Sequence, residues 1–263
     1  MKVSTVFVMV ETTHTGNLGA AARAMKTMGF NQMRLVNTCA HLSAEALARS
    51  SGANDVLKNA GLFSSLKDAI ADCNYVVGTS ARARQLSVPL RSCRDIAREL
   101  GDIAVTEGAD TTVAMVFGQE RSGLSNESLD LCNRLLRIPC NPEFSSLNLG
   151  SAVQVVAYEL SQALSSVPQG APTPMPGKWK GSEKHSQTTE PSTGAESPAS
   201  SAEMEHFFEH LDRIMINTGF LNPDNPRLVR RRIRRYFESH RPSSTELSLF
   251  RGILSATETP KKR

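Results

Sequence analysis

The feature that most constrains the fold is an alternation, within the first 164 residues, of short β-rich runs with amphipathic helical ones. Val3 to Val10, Met33 to Val36, Tyr75 to Thr79, Thr112 to Phe117 and Leu135 to Ile138 have the composition of strands. Helical patterns cover Gly19 to Met28, Ser43 to Arg49, Asp95 to Leu100, Asn126 to Cys132 and Ser151 to Leu164. In the last of these Val153, Val156, Ala157, Leu160 and Leu164 recur at helical spacing, which marks a core-facing stripe. Strands joined by helices must run parallel, so the expected fold class is α/β, a parallel sheet in Rossmann-like layers covered on both faces.

The pattern stops at residue 165. From there to residue 202, 26 of 38 residues are Ser, Pro, Gly, Thr or Ala, and such a segment buries too little to offset its ordering entropy. The expected organisation is a domain over 1–164, a flexible linker over 165–202 and a small all-α module over 203–263. Within the linker, Trp179 in the run Pro176-Gly-Lys-Trp-Lys is either a tethered surface aromatic or a short docking or RNA-contact element. In the module, Glu203 to Ile216 puts Phe207, Leu211, Ile214 and Met215 on one helical face. A second helix holds six arginines in the nine residues 227–235, with Leu228, Ile233, Tyr236 and Phe237 available for packing. A third is expected from Ser244 as N-cap, with Leu247, Phe250 and Leu254 inward.

Charge follows the same division. Residues 1–164 carry 15 basic and 15 acidic side chains, 165–202 carry three of each, and 203–263 carry 12 against 8, so the whole net charge of +4 belongs to the module. The arginine-rich helix is the expected grip on RNA, through Arg230, Arg231, Arg234 and Arg235, because each phosphate neutralised releases counterions. A solvated face in a packing module is the other reading. Apolar runs such as Val6 to Val10 and Val113 to Phe117 reach five residues, far short of a bilayer span, and the N-terminus lacks a signal-peptide pattern. A cytoplasmic protein without membrane contact is expected. Five widely spaced cysteines without a CxxC suggest reduced thiols, mostly core, and no metal-ligand spacing is present.

No P-loop, GxGxxG or HExxH motif occurs; instead four polar or glycine-bearing loops follow strands, where an open α/β sheet binds its ligands. The first, Asn17-Leu-Gly-Ala-Ala-Ala-Arg23, opens a helix, with Asn17 a possible cap and Arg23 either functional or a solvated cation. The second is Gly78-Thr-Ser-Ala-Arg82, a ligand loop or a plain turn. The third, Gly118-Gln-Glu120-Arg-Ser-Gly123, packs two glycines and a carboxylate behind an apolar strand. The fourth runs from Ile138-Pro139 to Ser146-Leu147-Asn148, with Ser145 or Ser146 available as a helix cap.

In this order and on this frame the loops resemble the SPOUT class of RNA methyltransferases, specifically the TrmH-like 2'-O-methyltransferases, over about 164 residues. The Asn-x-Gly-x-x-x-Arg, Gly-x-Glu-x-x-Gly and Ile-Pro…Ser-Leu-Asn signatures fall on residues 17–23, 118–123 and 138–148. The resemblance implies a C-terminal trefoil knot cradling S-adenosyl-L-methionine, built from Thr79, Ser80, Ala81, Gly118, Gly123, Ile138, Ser145, Ser146 and Leu147. It also implies a homodimer with the site at the subunit interface. Catalysis would fall to Arg23, Ser146 and Asn148 with Asn17 and Glu120, the glutamate mainly holding the knot loop by its backbone amides. Arg82 and Arg84 would touch RNA beside the arginine-rich helix. With the helical extension, the resemblance extends to bacterial enzymes that methylate nucleotide 32 of the tRNA anticodon loop. A ribosomal RNA methylase of the same class, or a non-catalytic RNA-binding relative, are the competing readings.

Overall fold

The computed structural model describes residues 3–80, 90–106, 111–141, 143, 146–165, 198–224 and 228–258. Seven parallel strands form one sheet: β1 (Val3–Val10), β2 (Gln32–Val36), β3 (Gly61–Phe63), β4 (Tyr75–Thr79), β5 (Leu90–Ser92), β6 (Thr111–Phe117) and β7 (Arg134–Arg137), in the order β3-β2-β1-β6-β4-β7-β5. The chain builds outward from β1 in one direction and then returns to fill the other side. That reversal creates the crevice at the carboxyl ends of the strands where such sheets bind ligands.

Burial along β1 is continuous from Thr5 to Val10, as a parallel strand covered on both faces requires. Its side chains still alternate between two cores. Phe7 and Met9 join Tyr75, Met115 and Phe117 under α1 (Thr15–Thr27), α5 (Cys93–Thr106) and α7 (Leu149–Ser165). Val6, Val8 and Val10 join Val76, Val116 and Leu135 under α4 (Leu66–Ala69) and α6 (Asn126–Asp130). The remaining helices of this domain are α2 (Ala44–Ser50) and α3 (Asn54–Lys58).

All five expected strands are present to within a residue or so at each end, and the expected helices are present with longer bounds for α1, α5 and α7. The edge strands β3 and β5, three residues each, and the short helices α3 and α4 were not expected. Of the five cysteines, Cys73, Cys93 and Cys132 are buried, whereas Cys39 and Cys140 are half-buried, and all are free thiols.

After residue 197 the chain forms α8 (Ser201–Asn217), α9 (Val229–His240) and α10 (Ser244–Glu258). Ser200 and Glu203 close a capping box on α8. Ser243 rather than Ser244 caps α10, its Oγ accepting from the Glu246 amide while its own amide donates to the Glu246 carboxylate. The module's core is aromatic: Phe207 meets Phe237 edge-on at 4.6 Å between ring centroids, with Phe208, Met204 and Leu247 around them. Leu228 is 54% exposed, and Tyr236, 61% exposed, meets this core only at its edge, its ring edge-on to Phe237.

The module docks on the amino-terminal side of β4. Ser201 donates its amide and hydroxyl to the Cys73 carbonyl (2.8 and 3.0 Å), the Ala202 amide reaches Ala71 (3.1 Å), and the Asn74 side chain bridges Pro198 and the Thr112 amide. Lys67–Glu209 and Arg231–Asp130 add ion pairs. Among the described residues no helix is long and apolar enough to cross a membrane.

Candidate active site

Three chain segments far apart in sequence are tied at one point. Asn17, in the first turn of α1, donates its amide to Glu120 Oε1 (2.9 Å) and accepts from Asn148 Nδ2 (2.9 Å). Asn148 Oδ1 in turn accepts from the Gly150 amide (2.9 Å), capping α7. The two amides are thereby locked in orientation, and the loops after β1, β6 and β7 are held together.

This geometry corrects two capping expectations. Asn17 does not cap α1, since the helix starts at Thr15 after His14, and its side chain is free to cross to Glu120. Asn148, not Ser146, caps α7; Ser145, the other expected cap, lies outside the described residues, as do Ala81, Arg82, Arg84 and Trp179.

Glu120 is saturated. Oε2 accepts from the Thr13 amide (3.2 Å) and hydroxyl (3.1 Å), and Oε1 from the His14 amide (3.3 Å) and Asn17. A carboxylate offers about four lone-pair sites, so none is left for a substrate proton. Partial burial alone would raise its pKa; the bonds from Asn17 and from the amides of residues 120, 13 and 14 outweigh this and hold it below the usual glutamate value. Glu120→Ala is therefore expected to lower stability at pH 7 by about 1–3 kcal/mol. Because the folded-state pKa is depressed, that contribution is present above the unfolded value and disappears as pH falls through the folded one. Thermal melts at pH 7 and pH 3 check this: the gap between variant and parent should narrow at the lower pH.

Beside this junction a cavity of about 240 Å³ opens at the carboxyl ends of β4, β6 and β7. Phe117, Leu124, Leu136, Ile138, Leu147 and Leu149 give it apolar walls, while Thr79, Ser80, Gly118, Gly123 and Ser146 add small or polar ones. The loop after β6 is a tight turn, the Gly123 amide donating to the Gln119 carbonyl (2.8 Å) with Gly123 at φ +68°. Any β-carbon on Gly118 would overlap the backbone of Gly123 and Leu124, so only glycine closes this turn. Thr79 donates to the Val116 carbonyl (3.0 Å) and the Ser80 amide to Leu136 (2.9 Å), fixing the adjacent wall. An apolar slot with a few polar groups at its rim suits a small organic ligand with a flat apolar portion.

Arg23 is not brought to this cavity. It is exposed, six residues beyond Asn17 on α1, which places it about 9 Å further along the axis and about 240° around it.

The arginines of α9 also divide. Arg230 pairs with Asp212 (2.8 Å) and Arg231 with Asp130 (2.9 Å). Arg234, expected to bind RNA, instead lies between Glu205 and Glu238 with its guanidinium 4.3 Å from the Phe208 ring centroid. Its charge is consumed inside the module. Arg232, which was not among the residues singled out, and Arg235 are exposed and make no ion pair among the described residues. Asp130, Asp212 and Glu205 are distant in the chain and could not have been assigned from sequence, whereas Glu238, four residues after Arg234, was within reach of a helical-spacing argument.

The pattern of the SpoU rRNA methylase family matches residues 4–158, more than half the chain. The chain belongs to the SpoU methylase family. The C-terminal domain of the tRNA methyltransferase TrmJ matches residues 202–263. Similar proteins include the tRNA (cytidine/uridine-2'-O-)-methyltransferase TrmJ of Cronobacter sakazakii, 42% identical over 97% of this chain and 96% of the relative. TrmJ of Escherichia coli K12 is 41% identical over 97% and 95%. Among solved structures, TrmJ from Z. mobilis ZM4 superposes with a TM-score of 0.77 at 29% identity, covering 98% of this chain and all of that one. A probable methylase family protein from Haemophilus influenzae gives 0.58 at 34% identity, covering 98% and 97%.

Proposed function

We infer that the chain is a cytoplasmic tRNA 2'-O-methyltransferase that uses S-adenosyl-L-methionine and acts, as a homodimer, on the ribose of C or U at nucleotide 32 of the anticodon loop. The observation that carries this reading is the junction of Asn17, Glu120 and Asn148 beside an apolar cavity, in a chain matching TrmJ relatives over 97% of its length. The loops at 79–80, 117–124 and 138–147 would hold the cofactor, with the third threaded as a trefoil knot. The bound cofactor supplies an electrophilic methyl group on a sulfonium.

The protein's task is then the 2'-hydroxyl, a poor nucleophile while protonated. Glu120 has its lone pairs committed to the fold, so it is a positioning residue. Asn148, exposed and with one amide hydrogen and one lone pair beyond its bonds to Asn17 and Gly150, would orient the hydroxyl together with Ser146 at the cavity wall. Arg23 would fork onto the neighbouring phosphate and stabilise charge developing on the oxygen, water taking the proton; a guanidinium, with pKa above about 12, is a poor base. Arg23 is exposed and does not line its own chain's cavity, so in this reading it serves the partner subunit's site, and the exposed Val155 and Tyr158 on α7 fit a dimer face.

The test is transfer of labelled methyl from S-adenosyl-L-methionine into tRNA, with ribose methylation mapped by mass spectrometry. Label appearing only in ribosomal RNA, or nowhere, overturns the reading. A fragment ending at residue 165 should keep cofactor binding and lose most tRNA affinity in a gel-shift salt series.

A further inference from the structure

The exposed side chains of α9 are not scattered. Arg232, Arg235, Tyr236, Ser239 and His240, with Leu228 just before the helix, are exposed and, at about 100° per residue, fall within one face; Arg231, also exposed, lies at its edge and is paired with Asp130. The opposite face carries Ile233, Arg234, Phe237 and Glu238, which meet the rest of the module. Tyr236 is 61% exposed, yet its ring is held: it lies 4.5 Å from the His240 ring at 38° and edge-on to Phe237 at 5.5 Å. His240 is fixed in turn, its Nδ1 lying 2.7 Å from the Tyr236 carbonyl and 3.1 Å from Ser239 Oγ.

A fixed, exposed aromatic surface flanked by two cations that have no carboxylate partner among the described residues fits a polyanion that carries flat rings. We propose that Tyr236, braced by His240, is a stacking platform for an unpaired base of the bound tRNA, with Arg232 and Arg235 on the flanking phosphates. This rests on the tRNA reading above and assigns to it a second contact, outside the catalytic cavity. Arg232 and Arg235 stand about 4.5 Å apart along the axis and Tyr236 next to them, close enough for one nucleotide step. Charge complementarity favours RNA over a second copy of this chain, whose matching face would bring arginines against arginines.

The two kinds of contact leave different signatures. Stacking is insensitive to salt, whereas each phosphate contact steepens the salt dependence. Tyr236→Ala should weaken binding of fluorescent tRNA and of single-stranded oligouridine by about tenfold at every salt concentration, leaving the slope unchanged and binding to a fully paired RNA duplex unaffected. Tyr236→Phe should restore binding. Arg235→Ala should reduce the slope by about one unit for all three probes. Equal loss on duplex and single strand, or no loss at all, overturns the platform. So does a change of oligomeric mass in Tyr236→Ala by sedimentation, which would make this face a contact between chains. If the unaltered chain binds oligouridine but not tRNA, the tRNA reading fails while the stacking surface stands; if it binds neither, both fail.

Discussion

Alanine at Arg23 is expected to reduce methyl transfer into tRNA by about a hundredfold or more while leaving cofactor affinity unchanged. The guanidinium lies outside the cavity lined by Thr79, Gly118 and Leu147, so its removal touches nothing that holds the cofactor. Lysine at the same position should remain at least about tenfold impaired, because a point charge cannot reproduce a bidentate phosphate fork. A near-parental rate for Arg23→Lys would remove the fork from the mechanism. The placement of Arg23 on α1 gives a sharper outcome. Gly118→Val disables the cavity by forcing a side chain into the backbone of Gly123 and Leu124. Co-expressed and separated by differential tags, a dimer of one Arg23→Ala chain and one Gly118→Val chain should regain about half the parental activity, since one intact cavity then faces one intact arginine. An inactive mixed dimer would mean that Arg23 serves its own chain.

The legibility of this site in the sequence was uneven for physical reasons. Strands such as β1 and β6 announce themselves because burial on both faces demands unbroken apolar runs. Three-residue edge strands like β3 and β5 have no period to detect. Asn17 looked like a helix cap because local chemistry favours that role. The tertiary structure overrode it by starting α1 three residues earlier, with His14 in the cap position, and offering Glu120, 103 residues away, as partner. The motif spacing thus located the residues but not their contacts: the asparagines and the glutamate tie three loops together across more than a hundred residues of chain. The arginines of α9 teach the same lesson. Five look alike in the helix, and the positions of Asp130, Asp212, Glu205 and Glu238 decide which are paired and which are left exposed.

Arg234→Ala should unfold the module without unfolding the sheet domain. Glu205 and Glu238 both point at the single Arg234 guanidinium, and Phe208 packs beneath it. Removing the cation leaves Glu205 without its partner and strips a stacked group from a core of only a few aromatic and aliphatic side chains, a loss of about 3 kcal/mol. A small module has little stability in reserve. Far-ultraviolet circular dichroism should show an early helical transition that is absent from the parent, followed by the sheet domain's own; a single unshifted transition would refute the assignment. Glu238 supplies a pH signature for the same cluster. Burial, opposed by Arg234 and reinforced by Glu205 and Asp130, pushes its pKa up to about 8. A raised folded-state pKa stabilises fully below the unfolded value and loses that contribution as pH rises through the folded one. The module's transition should therefore fall between pH 5 and pH 8. Glu238→Gln, which keeps the neutral shape, should flatten that dependence and raise the module's melting temperature at pH 8, where the parent must hold a second buried carboxylate against one arginine.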